Sequence, residues 1–174
     1  MISQTLTILL WMLALSDGTR IWLDVPFVAQ TRNGCGAACV SMVMRYWAHQ
    51  RTTSAPASVD PGTVMSNLYS TTGGGMLASQ MKEYFENQGF RTYVFAAEWS
   101  DLNHHLARGR PVIVCLKEDT LHYVVVVGID PHNDTVIVND PARRKLTQID
   151  RPSFEKSWNT CKNWTLLALP PSRE

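Results

Sequence analysis

This sequence has no marked excess of acidic or basic residues. Its 16 Lys and Arg are almost balanced by 15 Asp and Glu, for a formal net charge of +1. No long-range field gathers nucleic acid or an anionic membrane, so neither is expected as a partner. Long apolar runs are missing as well. No stretch reaches the roughly 20 residues of a membrane span, which excludes a polytopic transporter or channel. Cysteine is sparse, with four in the chain, too few for a disulfide scaffold. No GxxxxGK[ST] pattern occurs. The glycine run Gly73-Gly74-Gly75 lacks the Lys and Ser/Thr of a phosphate loop and reads as a flexible entry to the next helix.

What is present is a globular composition: 45% hydrophobic and 18% charged residues over 174 positions, enough for one domain with a real core. The first sixteen residues stand apart. Leu6 to Leu15 (LTILLWMLAL) is an uncharged apolar run, and Ala14-Leu15-Ser16 offers small residues at the spacing of a cleavage site. No Lys or Arg precedes it. Residues 1–16 therefore read as an export signal or a retained membrane anchor, with a helix packed on the domain as the third reading. The expected location is periplasmic, extracellular or membrane-anchored, with the cytoplasm still open. The folded domain is expected over residues 24–170, as a monomer.

Asp24 to Gln30 (DVPFVAQ) is a short extended segment. Gly36 to Ala48 has Ala37, Val40, Met44 and Trp47 at helical spacing and one formal charge, Arg45, so a largely buried helix is expected. Residues 50–72 read as a polar loop, with a short helix opening at Pro61. Met76 to Gln88 reads as an amphipathic helix closed by Gly89, Arg91 to Ala97 as a strand, and Asp101 to Arg108 as a helix capped by Ser100. Then strands dominate: Val112 to Leu116, His122 to Asp130, Thr135 to Asp140 and Trp164 to Leu169, the middle two joined by a hairpin turn at 130–135. Helices first and an antiparallel sheet after is an α+β order.

The chemistry-bearing residues fall on informative places. Cys35, in Asn33-Gly34-Cys35-Gly36, sits at the start of the buried helix, where the dipole favours thiolate and the glycines leave room for a substrate backbone. A thiolate nucleophile needs a proton carrier. His122 opens a valine strand and is the candidate base. The hairpin at 130–135 brings it beside the Val138-Asn139-Asp140 end of the next strand, where opposed residues have Cβ atoms about 4.5–5.5 Å apart. Asp140 can then orient the imidazole. The alternative reading of Asp140 is turn chemistry before Pro141. Asn139 is the weaker third member, because alternation points it the other way. Gln30, five residues before Cys35, can donate to an oxyanion together with the Cys35 N–H; alone it would be an ordinary loop amide.

The blocks Val25-Pro26-Phe27-Val28-Ala29-Gln30, Cys35-Gly36-Ala37-Ala38, Met42-Val43-Met44-Arg45-Tyr46-Trp47, His122-Tyr123-Val124-Val125-Val126 and Asn139-Asp140-Pro141-Ala142 come in that order. Together they resemble the bacteriocin-processing, double-glycine leader peptidase family, from about Asp24 to Pro170. The resemblance implies a papain-like fold and cysteine-peptidase chemistry without a metal or organic cofactor. On it, Cys35 matches the nucleophile, His122 the general base and acid, Asp140 the orienting acid and Gln30 the oxyanion donor. The partner it implies is a peptide or protein substrate. Two departures stand out. The family often has Asp immediately before the nucleophile, where this chain has Gly34. Many members belong to ABC exporters, whereas this sequence carries no membrane or ATPase domain and resembles the stand-alone members. Two other functions share these residues: a papain-like module that holds extended peptides without cutting them, and a thiol transpeptidase or amidase acting on cell-wall or isopeptide bonds.

The remaining candidates read as structural. Cys39 lies on the face of Cys35 and reads as packing, Cys115 as core, and Cys161 as part of a polar stretch. A disulfide among these three would leave one over. His104 and His105 point about 100° apart on their helix and read as a solvated face. Trp47, Trp99, Trp158 and Trp164 read as core or half-buried.

Overall fold

The computed structural model describes residues 19–31, 33–51, 59–68 and 77–171. The apolar run at 6–15 and the glycines at 73–75 lie outside them. The elements are, in chain order, β1 (Ile21–Trp22), α1 (Cys35–Gln50), α2 (Pro61–Leu68), α3 (Ala78–Asn87), β2 (Arg91–Ala96), α4 (Trp99–Leu106), β3 (Val112–Lys117), β4 (Leu121–Asp130), β5 (Thr135–Asn139), β6 (Thr147–Asp150), α5 (Arg151–Thr160) and β7 (Trp164–Leu169). The strands form one antiparallel sheet in the order β2-β7-β3-β4-β5-β6, and β1 pairs with the far end of β4. The expected α+β architecture is therefore present.

The valine run of β4 explains why helices cover both faces. A strand buried on both sides carries apolar residues at every position rather than at alternate ones. Tyr123, Val125 and Val127 face α1, α2 and α3, in a core built on Val40, Met42, Val43, Met81 and Phe85. Val124 and Val126 face α4 and α5, against Leu102, Leu106, Phe154 and Trp158. α1 runs across the first face with Gly36 to Met44 all buried.

Several ends differ from the sequence expectations, each for a local reason. α4 starts at Trp99 with Glu98, not Ser100, as its cap residue. The Asp101 carboxylate accepts the Glu98 N–H at 2.8 Å and draws the start upstream. α3 ends as expected: Gly89 adopts φ +82°, and the Phe90 N–H returns to the Phe85 carbonyl at 2.9 Å. The segment 24–30 joins no strand of the sheet. β6 and α5 have no counterpart in the sequence reading. α5 is short and mostly polar, and buries only Phe154 and Trp158. Its start was nonetheless encoded, since Asp150 accepts the Ser153 N–H at 2.9 Å and Pro152 sits in the first turn.

The β4–β5 hairpin turns at 130–135 as expected, with Asp130 paired to Thr135. The Asp130 carboxylate caps that turn by accepting the His132 and Asn133 backbone N–H groups. Further along, the register shifts between Val126 and Gly128, so that Val126 pairs with Val138 and Val125 with Asn139. Gly128 sits in this bulge because β1 crosses there: a Cβ on it would lie 2.5 Å from the Ile21 carbonyl oxygen.

Candidate active site

The bulge decides which side chains meet at the end of the sheet. With Val125 opposite Asn139, one further step puts Asp140 opposite Val124, on the face shared by His122. Without the extra residue Asp140 would stand opposite Val125 and point away. The observed relation is thus diagonal rather than the direct opposition expected, and diagonal neighbours remain within reach of long side chains. The His122 Nε2–H donates to Asp140 Oδ1 at 2.7 Å, with Asp140 1% and His122 9% exposed.

Cys35 completes the group. It is half-buried at the first position of α1, and the hydrogen-bonding and charge influence of the His122 ring draws its thiol down. Nε2 is engaged by Asp140, which leaves Nδ1 for the sulfur. The Tyr123 and Gly36 backbone N–H groups also point at the sulfur. The cap residue Gly34 gives α1 no side-chain cap, and no acidic residue occupies its first turn. The positive end of the helix therefore acts on Cys35 without competition.

These contacts set the protonation of all three groups. Burial works to raise the Cys35 thiol, but the His122 hydrogen bond, the Tyr123 and Gly36 amides and the imidazolium charge bring it below its ordinary value of 9.0. Burial works to lower His122, yet its bonds to Asp140 and Cys35 lift it from 6.5 to about 9. Burial also works to raise Asp140. Its bond to His122, the Ala142 N–H and the nearby Arg143 hold it below 3.8. The arrangement favours a thiolate–imidazolium pair backed by a carboxylate.

Sequence reasoning missed the residues that hold Asp140. The Ala142 N–H donates to Oδ1 at 2.9 Å, and the Arg143 guanidinium lies 3.4 Å from Oδ2 while also pairing with Glu118 at 3.0 Å. Asp140 therefore does carry out turn chemistry, alongside its bond to His122. Asn139 is a strut rather than a third member. Its amide donates to the Val25 carbonyl at 3.0 Å and its oxygen accepts the Leu146 N–H at 3.1 Å. Gln30 is tied in through its backbone, whose N–H donates to the Pro141 carbonyl at 2.9 Å. Its side-chain oxygen is buried without a hydrogen-bond partner among the described residues.

Cys39 lies fully buried one turn beyond Cys35, where burial pushes its thiol well up. His104 is exposed as expected. His105 is half-buried against Phe95 instead of solvated, and burial lowers it. Trp158 is in the core, while Trp47, Trp99 and Trp164 are half-buried.

Comparison with known proteins supplies the family and the fold. Residues 22–165 match the family model described as the Peptidase_C39 like family. The chain belongs to that family. Among solved structures it is similar to the peptidase domain of Streptococcus ComA, a bi-functional ABC transporter involved in a quorum sensing pathway, with a TM-score of 0.65 and 21% identity over 83% of this chain and 97% of that one. A double glycine motif protease from an AMS/PCAT transporter, solved in complex with the leader peptide, gives 0.66 and 22% over 87% and 96%. A protein described as a C39-like peptidase from Bacillus anthracis gives 0.66 and 16% over 89% and 100%. At these identities the likeness is one of fold, the papain-like arrangement of C39 domains. No curated protein matches the sequence. No helix among the described residues of this C39-like chain is long and apolar enough to cross a membrane.

Proposed function

We propose that this C39-like chain is a cysteine peptidase whose nucleophile is Cys35. The observation that carries the reading is the 2.7 Å bond between the His122 ring and the Asp140 carboxylate, supported by the pull of the same ring on the Cys35 thiol. The Cys35 thiolate attacks the scissile carbonyl, and His122 protonates the leaving amine. Asp140 holds the ring and stabilises its charge. The Cys35 N–H and the Gln30 amide receive the oxyanion. Water, deprotonated by His122, then hydrolyses the thioester. Peptides with a double-glycine leader are the proposed substrate class, on the strength of the family and of the leader-bound relative.

The test is a panel of leader peptides carrying Gly-Gly before the scissile bond, incubated with the full chain and with its Cys35→Ala variant and followed by mass spectrometry. Cleavage by the parent alone is expected. Equal cleavage by both proteins, or tight binding with no turnover by either, overturns the reading.

A further inference from the structure

On the sheet face opposite α1, the apolar surface runs on past its covering helices. α4 and α5 between them pack over β3, β4, β5 and β6. Beyond α4 the face continues onto β7 and β2. The register pairs Tyr93 with Leu167 and Arg91 with Leu169, so alternation sets Arg91, Tyr93 and Phe95 of β2 beside Leu167 and Leu169 of β7 on one face. Leu167 belongs to the core under α4 and α5, with Phe95 and Leu169 packed against it, which identifies that face. Tyr93 is 49% exposed, and Phe95 and Leu169 are half-buried. The His105 ring of α4 forms a side wall, edge-on to Phe95 at 5.9 Å. With Arg110 these side chains line a trough of about 610 Å³, inside the range of about 300–1,000 Å³ usual for small-molecule sites. Its charge sits at one end. β3 pairs Val112 with Leu167, and the same register carried two residues back sets Arg110 opposite Leu169, across that residue from Arg91. Arg110 is half-buried, and none of the residues lining the trough is acidic. Neither arginine side chain has a hydrogen-bond or carboxylate partner among the described residues.

We propose that this trough binds a medium-chain fatty acid, its hydrocarbon chain lying over Tyr93, Phe95 and Leu167 and its carboxylate held by Arg110 with Arg91. The complementarity is one of charge and of surface together. A guanidinium fork donates two parallel hydrogen bonds to a carboxylate, and the apolar floor takes the chain out of water. A neutral apolar ligand leaves both guanidinium groups unpaired, and a short carboxylate leaves the floor wet. Arg110 carries more of the head-group binding than Arg91, because Arg91 is exposed and its charge is better screened. The charged end lies before the first residue of β3, whereas His122 pairs with Leu116 near the last. The trough is thus separate from the proposed catalytic group, and the inference does not depend on the peptidase reading.

The test titrates decanoate, below its micellar concentration, into the full chain by calorimetry. Saturable one-to-one binding is expected, with 1-decanol and butyrate each weaker by about tenfold or more. Arg110→Gln should weaken decanoate by about tenfold or more, and Tyr93→Asp, which sets a like charge over the floor, should abolish binding. Arg108→Gln should change nothing, since that guanidinium is exposed and turned to His104 at 3.0 Å. A decanoate analogue carrying a diazirine on its chain, photolysed on the unsubstituted protein, should label β2 or β7 when the digest is read by mass spectrometry. That readout does not depend on whether any variant folds. Absence of saturable binding, equal affinity for decanol, an unchanged Arg110→Gln or label on other elements overturns the proposal. So does sedimentation as a dimer that takes up no decanoate, which gives the face to a second copy of the chain.

Discussion

Asp140 meets His122 at 2.7 Å from a diagonal position, one residue past the end of β5, and the bulge between Val126 and Gly128 puts it there. Proximity of the two groups therefore depends on a backbone irregularity several residues away as much as on their own identities. An account in which Cys35, His122 and Asp140 act as one unit makes specific demands on variants that disturb any part of it.

Replacing Asp140 by Asn keeps the volume and removes the charge. His122 should titrate well below about 9, and peptide cleavage should fall on the order of a hundredfold or more. Histidine NMR titration and steady-state kinetics check the two effects together.

Gly128→Ala tests the bulge. The added Cβ meets the Ile21 carbonyl oxygen at 2.5 Å, and that atom is backbone, so β1 or the bulge must move. A loss of about 1–3 kcal/mol is expected in urea unfolding. Activity should drop further than the unfolded fraction explains, because the residue sets the face on which Asp140 lies.

Arg143→Ala separates charge from scaffold. The side chain is 52% exposed, so stability should change by less than about 1 kcal/mol. Loss of its positive charge beside Asp140 should raise the His122 titration point. Asn139→Ala behaves in the opposite way. It strands the Val25 carbonyl and the Leu146 N–H, and should cost about 1–3 kcal/mol, with activity lost only in step with unfolding.

Stability against pH carries a signature of the ion pair. His122 is raised from 6.5 to about 9, so its contribution is full below 6.5 and fades as pH rises through about 9. Cys35 is lowered from 9.0, so its contribution is full above 9.0 and fades as pH falls through its depressed value. As pH rises from 6.5 towards 9 the His122 contribution falls while that of Cys35 grows, so the two slopes oppose each other. In Cys35→Ala only the His122 slope remains, so the variant should lose stability relative to the parent as pH rises across that window. Urea midpoints measured at the two ends of the window check this.

Much of this was legible in the sequence because each signal was local. Cys35 before a run of helical, apolar residues gave α1 and placed the proposed nucleophile at its start. The valine run after His122 gave β4, and the turn residues from Asp130 to Asp134 gave the hairpin. The bulge was hidden because Val126 and Val127 sit in an unbroken apolar run that carries no register information. α5 and β6 were hidden because two buried aromatic anchors, Phe154 and Trp158, are too few to mark a periodic face. Arg143 and the Ala142 amide were hidden because their link to Asp140 is a property of the turn that follows β5.

The central claim, that His122 and Asp140 hold Cys35 as a reactive thiolate, is tested most directly by the rate of iodoacetamide labelling at Cys35 from pH 5 to 10. Parent protein, His122→Ala and Asp140→Asn should be compared. The account predicts that the parent labels rapidly well below pH 9, and that in His122→Ala this early reactivity is lost and labelling follows an ordinary thiol. Asp140→Asn should fall between them. Superimposable profiles for the parent and His122→Ala would contradict it.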